Sequence, residues 1–314
     1  MCFSRFSMTN VALQKRASES SRMRCLAWSI LTLLLLWAAP ASAANNDIHL
    51  HFLYEGKSSD RVALQQKNFR LLAVEYGLSI TNPVTSTAET TGLAGLDIGV
   101  EFSLSDIPEL KEHWRRAIED ERPDNQLFIT RLRLRKGLPF SFELDGNIGF
   151  IYDSTSMVAG LGLKWALNEG FKYFPDLAVR GGVSRTFSSR DLDIFTVNVD
   201  FWMSKQFAIA GMFTLTPYAG YSLLYIRAQS GVLDPTPKSF ADNESPETGN
   251  FVFIPENLIG HRMFFGLRIV WFFITGTLEG AFNFSDAGNF PDETDEAKLP
   301  TMISQFNAKI SFSF

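Results

Sequence analysis

From residue 93 to the end of the chain, apolar and polar residues alternate in segments of about ten to fourteen residues, each followed by a turn. A period of two places successive side chains on opposite faces of a strand. The last segment is the clearest case. Ala308, Ile310, Phe312 and Phe314 share one face, and Gln305, Asn307, Lys309, Ser311 and Ser313 share the other. Residues 93–105 set Ala94, Leu96, Ile98, Val100, Phe102 and Leu104 against Asp97, Gly99, Glu101 and Ser103. Residues 126–136 oppose Phe128, Leu132 and Leu134 to Arg131, Arg133 and Arg135. Residues 140–152 oppose Phe140, Phe142, Leu144, Ile148 and Phe150 to Ser141, Glu143, Asp145 and Asn147.

Further strands are expected over 158–167 (Leu161, Leu163 and Trp165 on one face), 177–187 (Arg180 on the polar face) and 192–203. In the last of these, Phe195, Val197, Val199 and Phe201 oppose Thr196, Asn198 and Asp200. Residues 212–228, 259–271 and 273–284 follow, with Arg262, Arg268, Thr275, Thr277, Glu279 and Asn283 on polar faces. Ahead of the strands the pattern changes. Residues 44–58 have none. From Ser59 the spacing of Val62, Phe69, Leu72 and Tyr76 predicts a helix, with a short extended piece over 77–81 before Pro83. Residues 106–125 read as a charged loop with a short helix near 109–119, and 229–257 and 285–299 as long polar loops.

The start of the chain has the form of a leader. Met23, Arg24 and Cys25 precede an apolar run from Leu26 to Ala39, and Pro40 and Ala41-Ser42-Ala43 follow, as in a secretory signal peptide cleaved after Ala43. Met23 fits the start of such a leader, which leaves 1–22 surplus to it. The expected organisation is therefore a leader over 1–43, an arm and helix over 44–92, and a strand domain over 93–314. Both cysteines, Cys2 and Cys25, fall in the leader, so the mature chain has no thiol chemistry. The leader carries five basic residues and one acidic residue, so its removal moves the net charge from −5 to −9, which does not suit nucleic acid. Beyond the leader no stretch of apolar residues is long enough for a membrane helix.

A closing strand that ends on a bare phenylalanine, behind a signal peptide and nine other alternating segments, resembles the bacterial outer-membrane β-barrels. In that family the terminal aromatic, here Phe314, is the assembly signal. The resemblance implies an all-β fold: a transmembrane antiparallel up-and-down barrel of about ten strands, with eight or twelve also compatible. It carries a short N-terminal helix. It also implies outer-membrane localisation, contact with outer-membrane lipid, and reliance on the barrel-assembly machinery and periplasmic chaperones. The C-terminus is then periplasmic, the long loops are outside, and the arm and helix lie in the periplasm or inside the lumen. Trp165, Trp202, Trp271 and Phe314 fall at the inner interface and Tyr152 and Tyr225 at the outer one, although the alternation turns Trp202 inward. A soluble sandwich also alternates, but 29 phenylalanines exceed what one needs.

Candidate chemistry is on the polar face. Arg131, Arg133 and Arg135 form a ladder with Asp97 and Glu101 on one flank. A turn at 137–139 would put Glu143 opposite Arg133 and Asp145 opposite Arg131. With Arg180, Asp200, Arg268 and Glu279 these make a lumen charge network, either a selectivity constriction or a structural filling of a narrow lumen. His261 is the one histidine near a strand end, and no serine–carboxylate arrangement accompanies it, so no enzyme is expected. Asp292, Glu293, Asp295 and Glu296 read as a solvated acidic loop, not a metal site. No cofactor is implied. The function expected is a narrow conduit for small solutes or ions. The alternative is a structural or surface-interaction barrel closed by its charge network, and a remote third is an outer-membrane hydrolase.

Overall fold

The computed structural model of this chain describes residues 47–53, 59–118, 124–171, 173–187, 191–209, 213–233, 251–286 and 301–314. Among them, ten long strands form a closed antiparallel ring: β1 (Leu96–Asp106), β2 (Gln126–Leu138), β3 (Phe142–Ile151), β4 (Met157–Asn168), β5 (Asp176–Phe187), β6 (Leu192–Ser204), β7 (Phe213–Ser230), β8 (Glu256–Trp271), β9 (Ile274–Ser285) and β10 (Thr301–Ser313). Each strand pairs with its neighbours in sequence, and β1 pairs with β10 to close the ring. A three-residue strand, Phe207–Ile209, lies beside the start of β7. The leader, its cleavage site and the acidic cluster at 292–296 lie outside the described residues.

The alternation sets the facing, and the facing is inverted relative to a soluble protein. Ile310 is 60 % exposed while Lys309 beside it is 1 % exposed. The same holds around the ring. Leu132, Leu144, Leu161, Phe201, Phe265 and Phe306 point out, whereas Arg131, Asp97, Asn147, Asp200, Glu279 and Asn307 are buried inside. An apolar outer surface over a polar interior is the pattern of a strand barrel in lipid. Trp165, Trp271 and Phe314 are exposed towards the end with the short turns, and Tyr152 and Tyr225 towards the other. Trp202 faces inward and packs in a small cluster with Val84, Tyr218 and Phe264.

The inward face is not polar along its whole height. At the end opposite the C-terminus it carries Leu127, Ile129, Ile151, Val158, Ile194, Leu224, Ile226, Leu258 and Ile303, all buried. These residues surround a helix, α1 (Ser59–Ile80), and pack with its Phe69, Leu72, Ala73, Tyr76 and Leu78 and with Leu50 and Leu53 into one core. From Gln65 onward α1 is enclosed on nearly all sides, including the polar Gln65, Asn68, Glu75 and Ser79. Within 65–80 only Gln66, Lys67, Arg70 and Leu71 are partly exposed, and from Leu72 onward the helix is buried on every face, so the one-sided pattern does not describe that part.

The extended piece expected over 77–81 is helical instead, and α1 runs to Ile80. Gly77 is there for close packing, not to break the helix. A Cβ at this position would lie 2.5 Å from Ile226 Cγ2. After α1, residues 81–91 descend through the barrel to the other end and turn into β1. The chain before α1 is tied to the far end: Ile48 bridges Ile118, Asp47 accepts from Thr155 N at 2.8 Å, and Leu50 N donates to Asp191 at 3.1 Å. The N-terminal segment therefore traverses the lumen from end to end.

The expected strand limits hold to within a few residues, with one consequential error. The turn between β2 and β3 spans residues 139–141, because Leu138 stays in the ladder opposite Phe142. Left-handed Phe140 (φ 63°) and Ser141 (φ 59°) close it. The centre of the hairpin moves two residues along the chain, and every cross-strand partner moves with it.

The core around α1 generates a prediction. Phe69 is fully buried and stacks on Phe253 with ring centroids 4.8 Å apart. Phe69→Ala should destabilise the folded barrel by about 3–5 kcal/mol, the scale of a large core truncation. Urea unfolding followed by heat-modifiable gel mobility measures it. An unchanged midpoint would mean that α1 does not contribute to the core.

Candidate functional site: the arginine layer and the closed lumen

Below the apolar collar, arginines from three strands converge on the C-terminus of α1. The last carbonyls of a helix have no partner within it and carry its negative dipole end. Here they meet guanidinium groups. Arg131 Nη2 donates to Ile80 O at 3.1 Å, and Arg262 Nη2 to Leu78 O at 3.3 Å and Thr81 O at 3.5 Å. Gln305 Nε2 donates to Ser79 O at 3.3 Å. The segment that follows is held the same way. Arg133 donates to Pro83 O at 3.0 Å and Val84 O at 3.1 Å, and to the Asn82 side chain. Arg180, from β5, the third of these strands, donates to Asn82 O at 3.0 Å and Pro83 O at 3.1 Å.

Carboxylates pair with these cations, although Arg131 Nε and Arg133 Nε keep no hydrogen-bond partner. Arg131 and Arg133 lie 3.5 and 3.3 Å from Glu101, and Arg135 lies 2.9 Å from Asp97. Arg180 bridges Asp200 at 2.6 Å and Asp145 at 3.2 Å. Lys309 reaches Asp97 at 3.3 Å and Lys164 reaches Glu143 at 2.8 Å. Glu279 accepts from Thr85 N at 2.8 Å, Tyr218 Oη at 2.9 Å and Asn307 Nδ2 at 3.1 Å. Buried charge is costly unless paired and hydrogen-bonded. The N-terminal segment supplies many of the acceptors that make this burial tolerable.

All eleven charged residues singled out from the sequence face the lumen, and ten of them are buried; Arg268 is partly exposed. The expected pairing within the β2–β3 hairpin is corrected. Arg133 lies opposite Asn147, not Glu143, and Arg131 lies opposite Gly149, not Asp145. Glu143 sits across from Gly137 and Lys164, and Asp145 across from Arg135. The shifted turn is the cause. The flank with Asp97 and Glu101 is as expected, opposite Arg135 and Arg131. Arg262 and Lys309, given no special part beforehand, are central.

Two further clusters pin the segment at its ends. At the collar end a short helix, α2 (Glu112–Ala117), brings Trp114 Nε1 to 2.5 Å and His113 Nε2 to 2.8 Å from the buried Glu75, with Lys111 Nζ at 3.0 Å. At the opposite end Thr90 N donates to Glu169, in the β4–β5 turn, at 2.9 Å. Burial would raise the Glu169 carboxyl, but donors from Thr90 and Ser141 outweigh it and hold it below its ordinary value. His261 is not in the lumen. It faces outward, bonded to Tyr221 and stacked on Phe284. The inward polar face therefore cannot use it.

No family model matches the chain, and no curated protein matches it. Solved structures do. The KdgM porin in complex with disordered oligogalacturonate is 8 % identical, with 69 % of this chain and 99 % of that one covered and a TM-score of 0.29. Neisserial surface protein A is 10 % identical over 70 % of this chain and 96 % of its own, with a TM-score of 0.27. The outer-membrane protease OmpT from Escherichia coli is 9 % identical over 70 % and 96 %, with a TM-score of 0.30. A porin, a surface protein and a protease at such scores choose no activity for this chain.

The corrected register is testable. Glu143→Gln and Lys164→Met should each cost about 3–5 kcal/mol as broken buried pairs. Together they should cost less than their sum by about 0.5–3 kcal/mol. Glu143 and Arg133 should show no such coupling. A thermal double-mutant cycle reads both, and coupling to Arg133 in place of Lys164 would reject the register.

Proposed function

We propose that this chain is an integral outer-membrane barrel whose lumen is closed by its own N-terminal segment. In this reading it serves as a structural or surface-interaction barrel and not as a standing conduit. The observation that carries the reading is the apolar collar around α1. A water-filled path would need α1 to leave it. That would expose Phe69, Leu72, Tyr76, Leu224 and Ile226, at about 1.5–3 kcal/mol for each large side chain, besides stripping acceptors from four buried arginines. The conduit reading gains only from the cationic middle of the lumen, and those cations are already engaged.

The membrane assignment is supported by the outward apolar band with aromatic residues at both ends. The terminal strand supports the orientation. Phe314 exchanges backbone bonds with Leu96 at the seam, Phe314 N to Leu96 O at 2.8 Å and Leu96 N to Phe314 O at 2.9 Å. We take it as the signal read by the assembly machinery after periplasmic chaperones deliver the chain. The end with the short turns is then periplasmic, and the collar, α2 and residue 47 are at the cell surface.

Two measurements check this. The full chain in a planar bilayer should show no steady conductance. A steady open level from the intact protein would sink the closed reading and restore the conduit. For orientation, the mature chain has no cysteine, so single cysteines report cleanly. Asp47→Cys should react with a membrane-impermeant maleimide on intact cells, and Phe207→Cys only after the outer membrane is permeabilised. The reverse pattern would overturn the orientation.

A further inference from the structure

At the turn-rich end of the barrel, the descending segment does not lie along the middle of the lumen. Lys164 Nζ donates to Glu89 O at 3.0 Å and to Thr87 O at 3.3 Å, and Glu143 accepts from Thr91 N at 2.9 Å. These contacts and Glu169 draw residues 87–91 against the β3–β4 wall. The opposite wall, β7, β8 and β10, is left with a cleft of about 290 Å³ between it and the segment. Glu89, Thr91, Thr216 and Arg268 line it, with Val270 and Phe314 as an apolar side.

Arg268 differs from the other lumen arginines. Its Nη1 donates to Thr87 Oγ1 at 2.9 Å, and it has no carboxylate partner among the described residues. It caps no helix. Its Nε is buried without a hydrogen-bond partner, a feature it shares with Arg131 and Arg133, and Thr91 Oγ1 and Thr216 Oγ1 on the same cleft are unpartnered too. The Glu89 carboxylate likewise makes no hydrogen bond or ion pair among the described residues; only its backbone oxygen is engaged. So a cation and an anion line one cleft; each feels the other's charge, but they share no hydrogen bond or close ion pair. A simple anion drawn to Arg268 would meet Glu89, and a simple cation drawn to Glu89 would meet Arg268. A molecule with both charges satisfies both, and the threonine hydroxyls add donors beside its carboxylate.

We propose that this cleft binds a small zwitterion, an α-amino acid or the zwitterionic end of a peptide, with its carboxylate on Arg268 and its ammonium on Glu89. The site stands on its own geometry and does not depend on the lumen being closed. The test uses the purified full chain in detergent and saturation-transfer NMR with three probes: L-alanine, N-acetyl-L-alanine, which lacks the ammonium, and L-alaninamide, which lacks the carboxylate. L-Alanine should bind, and each blocked analogue should bind at least about tenfold more weakly. Glu89→Gln should abolish the preference over N-acetyl-L-alanine. Arg268→Lys should weaken L-alanine while keeping the preference over L-alaninamide. Heat-modifiable mobility verifies that each variant is folded, and Glu89→Gln alone decides the matter if Arg268→Lys does not fold. Equal binding of L-alanine and N-acetyl-L-alanine would mark a plain anion site and overturn the proposal. So would the absence of transfer from all three probes, or wild-type behaviour of Glu89→Gln.

Discussion

The capping of α1 by arginines of the barrel wall is the interaction on which the rest of this structure depends. A helix that ends inside a sealed lumen leaves its last carbonyls without water. Guanidinium groups in the same lumen need acceptors that the wall alone does not provide in sufficient number. Each set answers the demand of the other. Arg131 and Arg262 take the carbonyls of α1, and Arg133 and Arg180 take those of residues 82–84. The helix dipole and the cationic layer have the right relative sign. Removing either partner leaves buried polar groups stranded, so the barrel and its inner segment form one energetic unit.

The apolar collar and the charged layer divide the work between them. Apolar burial is non-directional and holds α1 in the lumen without fixing its height or rotation. The hydrogen bonds below it are directional and set both. Arg133 alone reaches Asn82, Pro83 and Val84. The clamp on Glu75 from Lys111, His113 and Trp114 then joins α1 to the β1–β2 connection, so a loop that would otherwise be free is folded over the end of the barrel.

Much of this was legible in the alternation. A period of two needs only local chemistry, and it gave the ten strands, their facing and the inward position of Trp202. The charged residues of the lumen followed from the same facing. What was missed depended on tertiary context. Gly77 reads as a helix breaker until Ile226 is seen against it. Pro139 invites a turn centred two places too early, because nothing local says that Leu138 still pairs with Phe142. The collar did leave a trace. Leu127 and Ile129 share the face of Arg131, Arg133 and Arg135, and Ile303 shares that of Gln305, Asn307 and Lys309. Apolar residues on a lumen face, always at the same end of the strand, imply something apolar inside. A helix with Phe69, Leu72 and Tyr76 stood immediately upstream.

The path of the chain also constrains how the barrel can close. Residues 81–91 lead directly into β1, and β1 is one side of the seam with β10. The seam at its turn-rich end is crowded: a Cβ on Gly137 would run into Gly92 O, and Phe314 and Leu96 exchange both backbone bonds beside it. A closed ring of ten strands has no lateral gap through which a 22-residue helix could pass. The inner segment must therefore be in place before β1 and β10 zip together, or it must thread in from an end against the collar. The first route also brings the arginine layer its acceptors while the ring is still open, so no guanidinium is sealed in without a partner. The physical need to cap α1 and the topological need to enclose it point to the same order of events, with the seam last.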